Sequence, residues 1–149
     1  RFGSEQPARR AVLTGGGSPQ ERQRANALAG LPGVIDRVGQ TTLPELSALC
    51  GTAAAIVSPD SAPVHLGRAH GVPVVGLYAV ARPKATGPYQ RLEYTVNAYP
   101  AAVESCLGKR ADAVGWHQRV HYPAAMALIT VDAVWDRLTA ALAHPTAFC

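Results

Sequence analysis

Four short apolar runs mark the first half of the chain: RRAVLT at 9–14, GVIDRVG at 33–39, AAAIVS at 53–58 and VPVVGLYA at 72–79. Each is rich in β-branched or small apolar residues and bounded by glycine, proline or hydroxyl residues, which predicts strands. The segments between them carry helix start and stop signals. In SPQE, Ser18 is the N-cap, Pro19 takes the first helical position and Glu21 stands three residues after the cap. That spacing is a capping box: the serine hydroxyl takes a free amide, and the glutamate reaches back to the cap's own amide. This helix is expected to run to about Ala29, with Gly30 and Pro32 ending it. TLPE repeats the grammar, with Thr42 as cap, Pro44 early in the helix, Glu45 three residues on and an end near Gly51. A third helix follows, capped by Asp60 or Ser61, with Pro63 in its first turn and Gly71 as its stop.

Strands alternating with helices imply right-handed crossovers and an α/β fold: a Rossmann-like parallel sheet with flanking helices. The expected sheet has four strands, near 9–14, 33–38, 53–58 and 72–78. Continuous apolar runs fit strands covered on both faces. In such a sheet the strand carboxyl ends and helix amino ends share one side, where ligands bind. Residues 14–21, 40–45, 58–65 and 79–89 are therefore expected to converge on one edge. From 80 to 125 the alternation stops, and a largely irregular segment with short helical turns is expected. Tyr89, Tyr94, Tyr99 and Trp116 would offer apolar area there, exposed in an isolated domain and facing a missing one. TVDAVWDRLTAAL closes the pattern as a helix, with Thr130 as cap and Val131, Val134, Trp135, Leu138 and Leu142 on one stripe.

Composition narrows this picture. The chain has 149 residues, 48% of them apolar, which suits a single domain with a real core. Its longest apolar run, 72–81, is half the roughly 20 residues of a membrane span. No hydrophobic leader opens the sequence, and its first residue is Arg1 rather than methionine, so a fragment of a longer chain is expected. The net charge is +4, but the basic residues are scattered and not interleaved with aromatics, which speaks against nucleic acid as a partner. Three widely spaced cysteines, Cys50, Cys106 and Cys149, fit a reducing compartment better than a disulfide framework.

The chemistry-bearing residues gather in few places. The GGG turn at 15–17 leads into a helix, as a phosphate cradle does, although it matches neither GxGxxG nor the P-loop pattern, and a plain tight turn is the alternative. Glu21 is first a capping acid; its other reading is an acceptor for ribose hydroxyls. Asp60 and Ser61 both stand where one residue suffices to cap, which leaves one of them free to face a ligand. His65 lies one turn into that helix and points away from His70, five residues on. His117 and His121 have helical i, i+4 spacing but no third metal ligand is evident. There is no GxSxG elbow, and no local stretch supplies a complete catalytic set.

VLTGGGSPQE, VGQTTLPELSALC, AAIVSPDSAPVHLGRAHGVPVVGLYA, GPY at 87–89 and AMALITVDAVWDRL occur in an order and spacing that resembles the carboxy-terminal half of family 9 glycosyltransferases, the ADP-heptose:lipopolysaccharide heptosyltransferases. The resemblance spans nearly the whole chain; Asp-Ser-x-x-x-His followed by Gly-x-Pro-Val-Val is its most specific part. It implies a single nucleotide-sugar (donor) binding domain, residues 1–149, from a two-domain GT-B enzyme. It places Gly15, Gly16 and Glu21 at the nucleoside, Thr41, Thr42 and Leu43 beside the base, and Asp60, Ser61, Ala62 and His65 toward the diphosphate and sugar. The family usually has glycine where this chain has Ala62. The implied reaction is an inverting, metal-independent transfer of a heptose-like sugar from ADP-heptose to a lipopolysaccharide core acceptor, with no cofactor. The family's general base lies in the amino-terminal domain, and a basic diphosphate-contacting residue lies on the first strand and loop of the donor domain. This chain begins after both, so it contains no catalytic residue and is expected to be inactive alone. The implied setting is bacterial lipopolysaccharide biosynthesis in the cytoplasm, peripherally at the inner membrane, with a lipid-linked oligosaccharide acceptor held by the missing domain. The competing reading is a non-catalytic Rossmann-like module that binds a nucleotide or a partner; a dinucleotide oxidoreductase is opposed by the absence of GxGxxG.

Overall fold

A computed structural model describes residues 2–88 and 92–143. Tyr89, one of the tyrosines singled out above, and Cys149 lie outside the described residues. The elements in order are α1 (Phe2–Glu5), β1 (Ala11–Leu13), α2 (Pro19–Asn26), β2 (Val34–Asp36), α3 (Leu43–Thr52), β3 (Ile56–Pro59) and α4 (Ala62–Ala69). They continue with β4 (Val74–Tyr78), α5 (Pro83–Thr86), β5 (Val96–Asn97), α6 (Tyr99–Leu107) and α7 (Val131–Ala143). Short 3₁₀ turns occupy Ala111–Ala113 and Met126–Leu128. The chain divides into two compact units, residues 1–46 and 47–149.

In the first unit β1 and β2 pair in parallel, Ala11 against Val34 through Leu13 against Asp36. Helix α2 crosses between them and buries Ala25. It ends at Asn26, three residues before the expected stop. Arg22 fastens this crossover: its guanidinium donates to the Val38 carbonyl at 2.9 Å and pairs with the Asp36 carboxylate. Asp36 in turn accepts the Val38 amide at 2.9 Å, and that bond, with the Arg22 charge, holds its carboxyl below its ordinary range against the opposing cost of burial.

In the second unit β3, β4 and β5 form a parallel sheet in that order. β4 is central, and Val74, Val75 and Tyr78 are buried, as a strand covered on both faces requires. Helix α4 packs on β3 and β4, and α7 packs on β4 and β5. Val75, Val96 and Ala141 form one core, against which Val134 and Leu138 of α7 lie. Tyr99, Ala102, Val103, Val120 and Ala125 form another with Ala79. The Thr130 hydroxyl accepts the Ala133 amide at 3.2 Å, so the expected cap of α7 is present. Val131, at the outer end of the expected stripe, is exposed.

Two expectations need correction. Among the described residues the strands are five and group into two ladders, not one four-stranded sheet, because hydrogen bonding there follows β1–β2 and β3–β4–β5. The segment 80–125 is largely irregular with short helical turns, as expected, though not wholly so. It contains β5 and the nine-residue helix α6, whose residues 99, 102, 103, 106 and 107 make a complete apolar stripe. Pro100 opens that helix and Gly108, at φ +63°, closes it. Tyr99 is consequently 1% exposed rather than presented to a missing domain, whereas Trp116 is 52% exposed.

Candidate functional site

The strand ends of the first unit are shaped by two capping boxes. The Glu21 carboxylate accepts the Ser18 amide at 3.0 Å and the Ser18 hydroxyl at 2.7 Å, while the Ser18 hydroxyl accepts the Glu21 amide at 3.3 Å. Its other oxygen accepts the Gly16 amide at 3.1 Å, so Glu21 closes the glycine loop as well as capping α2. These bonds, those from Ser18 foremost, hold the carboxyl below its ordinary range. Glu45 does the same for α3, accepting the Thr42 amide and hydroxyl, both at 2.7 Å.

The loops after β1 and β2 then meet each other. The Gly39 amide donates to the Gly15 carbonyl at 2.9 Å. Gly17 and Gly39 both have positive φ, +84° and +70°, and a β-carbon on Gly17 would stand 2.8 Å from the Gly39 α-carbon. Only two glycines permit this approach. Gly15 and Gly16 thus border the loop that leads to Thr41, Thr42 and Leu43, within one unit. Thr41 is half-buried, and Leu43, a large apolar side chain at the start of α3, is 64% exposed.

In the second unit Asp60, Ser61, Ala62 and His65 lie at the carboxyl end of β3 and the first turn of α4. Ser61 has the backbone of an N-cap, φ −158°, but its side chain does not cap. Its hydroxyl turns back to β3, bonding the Ser58 hydroxyl at 2.9 Å and donating to the Pro59 carbonyl at 3.2 Å. The expectation that Asp60 or Ser61 caps α4 through its side chain is therefore corrected: neither does. The first turn of α4 keeps amides that no side chain satisfies, and Pro63 removes one amide that would otherwise need a partner. Ala62 is the first residue of α4 and takes helical backbone, so the methyl that replaces the family's glycine needs no unusual φ. His65 is exposed, whereas the preceding Val64 is buried.

No motif points to the residue that faces Asp60. Arg119, 59 residues away, donates to its carboxylate at 3.2 Å. Tyr78 lies buried nearby, and burial together with the Asp60 charge pushes its hydroxyl up to about 12, so it stays a donor, reaching the Thr86 carbonyl at 3.5 Å. Arg82, just past β4, is sandwiched at 5.2 Å from both the Tyr99 and Trp116 rings and donates to the Ala111 carbonyl at 2.7 Å. His70 bonds the Ser47 hydroxyl at 2.9 Å, with its ring against Gly51, which gives it a packing role apart from this loop. Among the described residues no group of three or more His, Cys, Asp or Glu could hold a metal ion, and no helix is long and apolar enough to cross a membrane.

The sequence model of glycosyltransferase family 9 (heptosyltransferase) matches residues 5–116. The chain belongs to glycosyltransferase family 9. It is 34% identical over 96 residues to the lipopolysaccharide core heptosyltransferase OpsX of Haemophilus influenzae, a match covering 64% of this chain and 28% of that protein. It is also similar to the crystal structure of a family 9 glycosyl transferase from Veillonella parvula, with a TM-score of 0.66 at 20% identity, over 93% of this chain and 38% of that one. The chain therefore spans well under half the length of these relatives. The structural likeness bears out the α/β fold, and the family match bears out the resemblance drawn from the motifs. Arg119 lies beyond the matched segment, so the family motifs offered no route to it.

Proposed function

We propose that this chain is the donor-binding part of a family 9 glycosyltransferase, which transfers a heptose-like sugar from a nucleotide diphosphate, ADP-heptose, to a lipopolysaccharide core acceptor. The observation that supports it best is the start of α4: a strand end that delivers Asp60 and His65 beside helix amides left without a side-chain cap. Free amides and the positive end of a helix favour an anion such as a diphosphate. On this reading Asp60 and His65 face the sugar and diphosphate with Ser61 and Ala62, while Gly15, Gly16, Glu21, Thr41, Thr42 and Leu43 serve the nucleoside end.

The reaction is an inverting, metal-independent displacement. A base in the acceptor-binding domain takes the proton of the attacking hydroxyl as the nucleoside diphosphate leaves. This chain holds the leaving group and orients the sugar, and alone it transfers nothing. The setting proposed is the cytoplasmic face of the bacterial inner membrane, where a lipid-linked acceptor is reached.

Transfer assays on the enzyme that joins this chain to its acceptor-binding domain test the reading. Asp60→Ala and His65→Ala should each slow transfer roughly ten- to hundred-fold, the effect of losing a charge-assisted hydrogen bond in the transition state. Wild-type transfer by an enzyme carrying both substitutions would refute the assignment.

A further inference from the structure

We infer that Arg119 is a positioning residue for the donor diphosphate: it is the counter-ion that lets the Asp60 carboxylate stand beside a bound anion. The inference rests on the donor reading above, since it concerns the anion proposed to sit at the start of α4.

A carboxylate at an anion site is a liability. A diphosphate within a few ångströms of an unpaired Asp60 would be repelled, and the repulsion is little screened because the Asp60 side chain is only 17% exposed. The structure supplies the neutralising charge. Arg119 binds one oxygen, Oδ2, at 3.2 Å. The other, Oδ1, has no hydrogen-bond partner among the described residues and is free to accept from a ligand hydroxyl. The guanidinium thus cancels the charge and fixes the orientation of the carboxylate without using up its acceptor capacity.

The pair differs from an incidental surface contact in how Arg119 is held. The carbonyl of Gln118, on one side, accepts the Tyr99 hydroxyl at 2.8 Å. The amide of Val120, on the other, donates to the Val80 carbonyl at 2.9 Å, and the Val120 side chain is fully buried. The backbone of Arg119 is therefore pinned between the buried Tyr99 of α6 and Val80, just past β4. Its side chain makes no other hydrogen bond or ion pair among the described residues and is 47% exposed, which leaves N–H groups for a ligand.

Two-dimensional NMR titration of the 149-residue chain tests this, with ADP as the charged probe and adenosine as the neutral one. Arg119→Ala should weaken ADP on the order of tenfold, the loss expected when a charge is left uncompensated, and leave adenosine unaffected. Asp60→Asn in the Arg119→Ala background should restore ADP binding to within about twofold of wild type, because the repelling charge has gone. Asp60→Asn alone, which frees the guanidinium, should tighten ADP; this keeps the test decisive if Arg119→Ala does not fold. A merely structural Arg119 would weaken both probes and would not be rescued by a neutral residue at 60. Unchanged ADP affinity in Arg119→Ala, failure of the rescue, or weaker ADP binding by Asp60→Asn overturns the proposal alone. Absence of ADP binding by the wild-type chain overturns the donor reading, and the proposal with it.

Discussion

Glu21 does several jobs with one carboxylate. It accepts from the Ser18 amide, the Ser18 hydroxyl and the Gly16 amide, which are all groups a charged acceptor holds better than a neutral one. Ser18→Ala should lower unfolding stability by about 1 kcal/mol, read from the urea midpoint at constant slope. The pH dependence has a defined sign. The folded carboxyl of Glu21 ionises below its ordinary range, so its contribution is fully present above the unfolded value and is lost as pH falls through the depressed folded one. Glu45 behaves alike, its carboxyl lowered first by the Thr42 amide and then by the Thr42 hydroxyl. The Gly16, Ser18 and Thr42 amide resonances should therefore move together on acidification, with midpoints below the roughly 4.3 of a free glutamate. Midpoints at or above that value would mean the boxes do not form in solution.

At the scale of elements, α4 shows how closely a helix can be laid on strands. Gly67 is buried, and a β-carbon there would stand 2.5 Å from Ile56 Cδ1 and 2.7 Å from Val74 Cγ2. Gly67→Ala should gain a little helix propensity and lose more to overpacking, for a net loss of about 1–3 kcal/mol in thermal or urea unfolding. A stabilised variant would show that Ile56 and Val74 have room to move. Helix α6 forms from an equally local set of signals. Its stripe from Tyr99 to Leu107, its Pro100 and its Gly108 were all in the sequence. They are obscured by prolines, tyrosines and arginines in the surrounding segment, which carries little periodicity of its own.

At the scale of the molecule, the second unit is closed by links across long stretches of chain. The Tyr99 hydroxyl reaches Gln118, Val120 bonds Val80, and Arg82 lies between two aromatic rings. Tyr99→Phe keeps the buried ring and removes only the bond to the Gln118 carbonyl. It should cost about 1 kcal/mol in stability. It should also raise hydrogen exchange at the Val120 amide more than in α7, because the loop carrying Arg119 loses one of its two anchors. Equal changes at both places would mean that the loop is held by packing alone.

The sequence by itself determined what short-range physics controls. Strand positions, both capping boxes, the cap of α7 and the parallel α/β character follow from residue order, because apolar runs, hydroxyl–glutamate spacing and proline placement act within a few residues. The motifs at 58–76 carried the family, since they too are contiguous. Tertiary structure alone decided the rest. Ser61 was expected to cap and instead bonds back into β3, since the neighbouring Ser58 hydroxyl and Pro59 carbonyl compete for it. The grouping of strands into two ladders and the burial of Tyr99 depend on which segments meet. The partner of Asp60 comes from 59 residues downstream, a distance at which the order of residues in one chain carries no pairing signal.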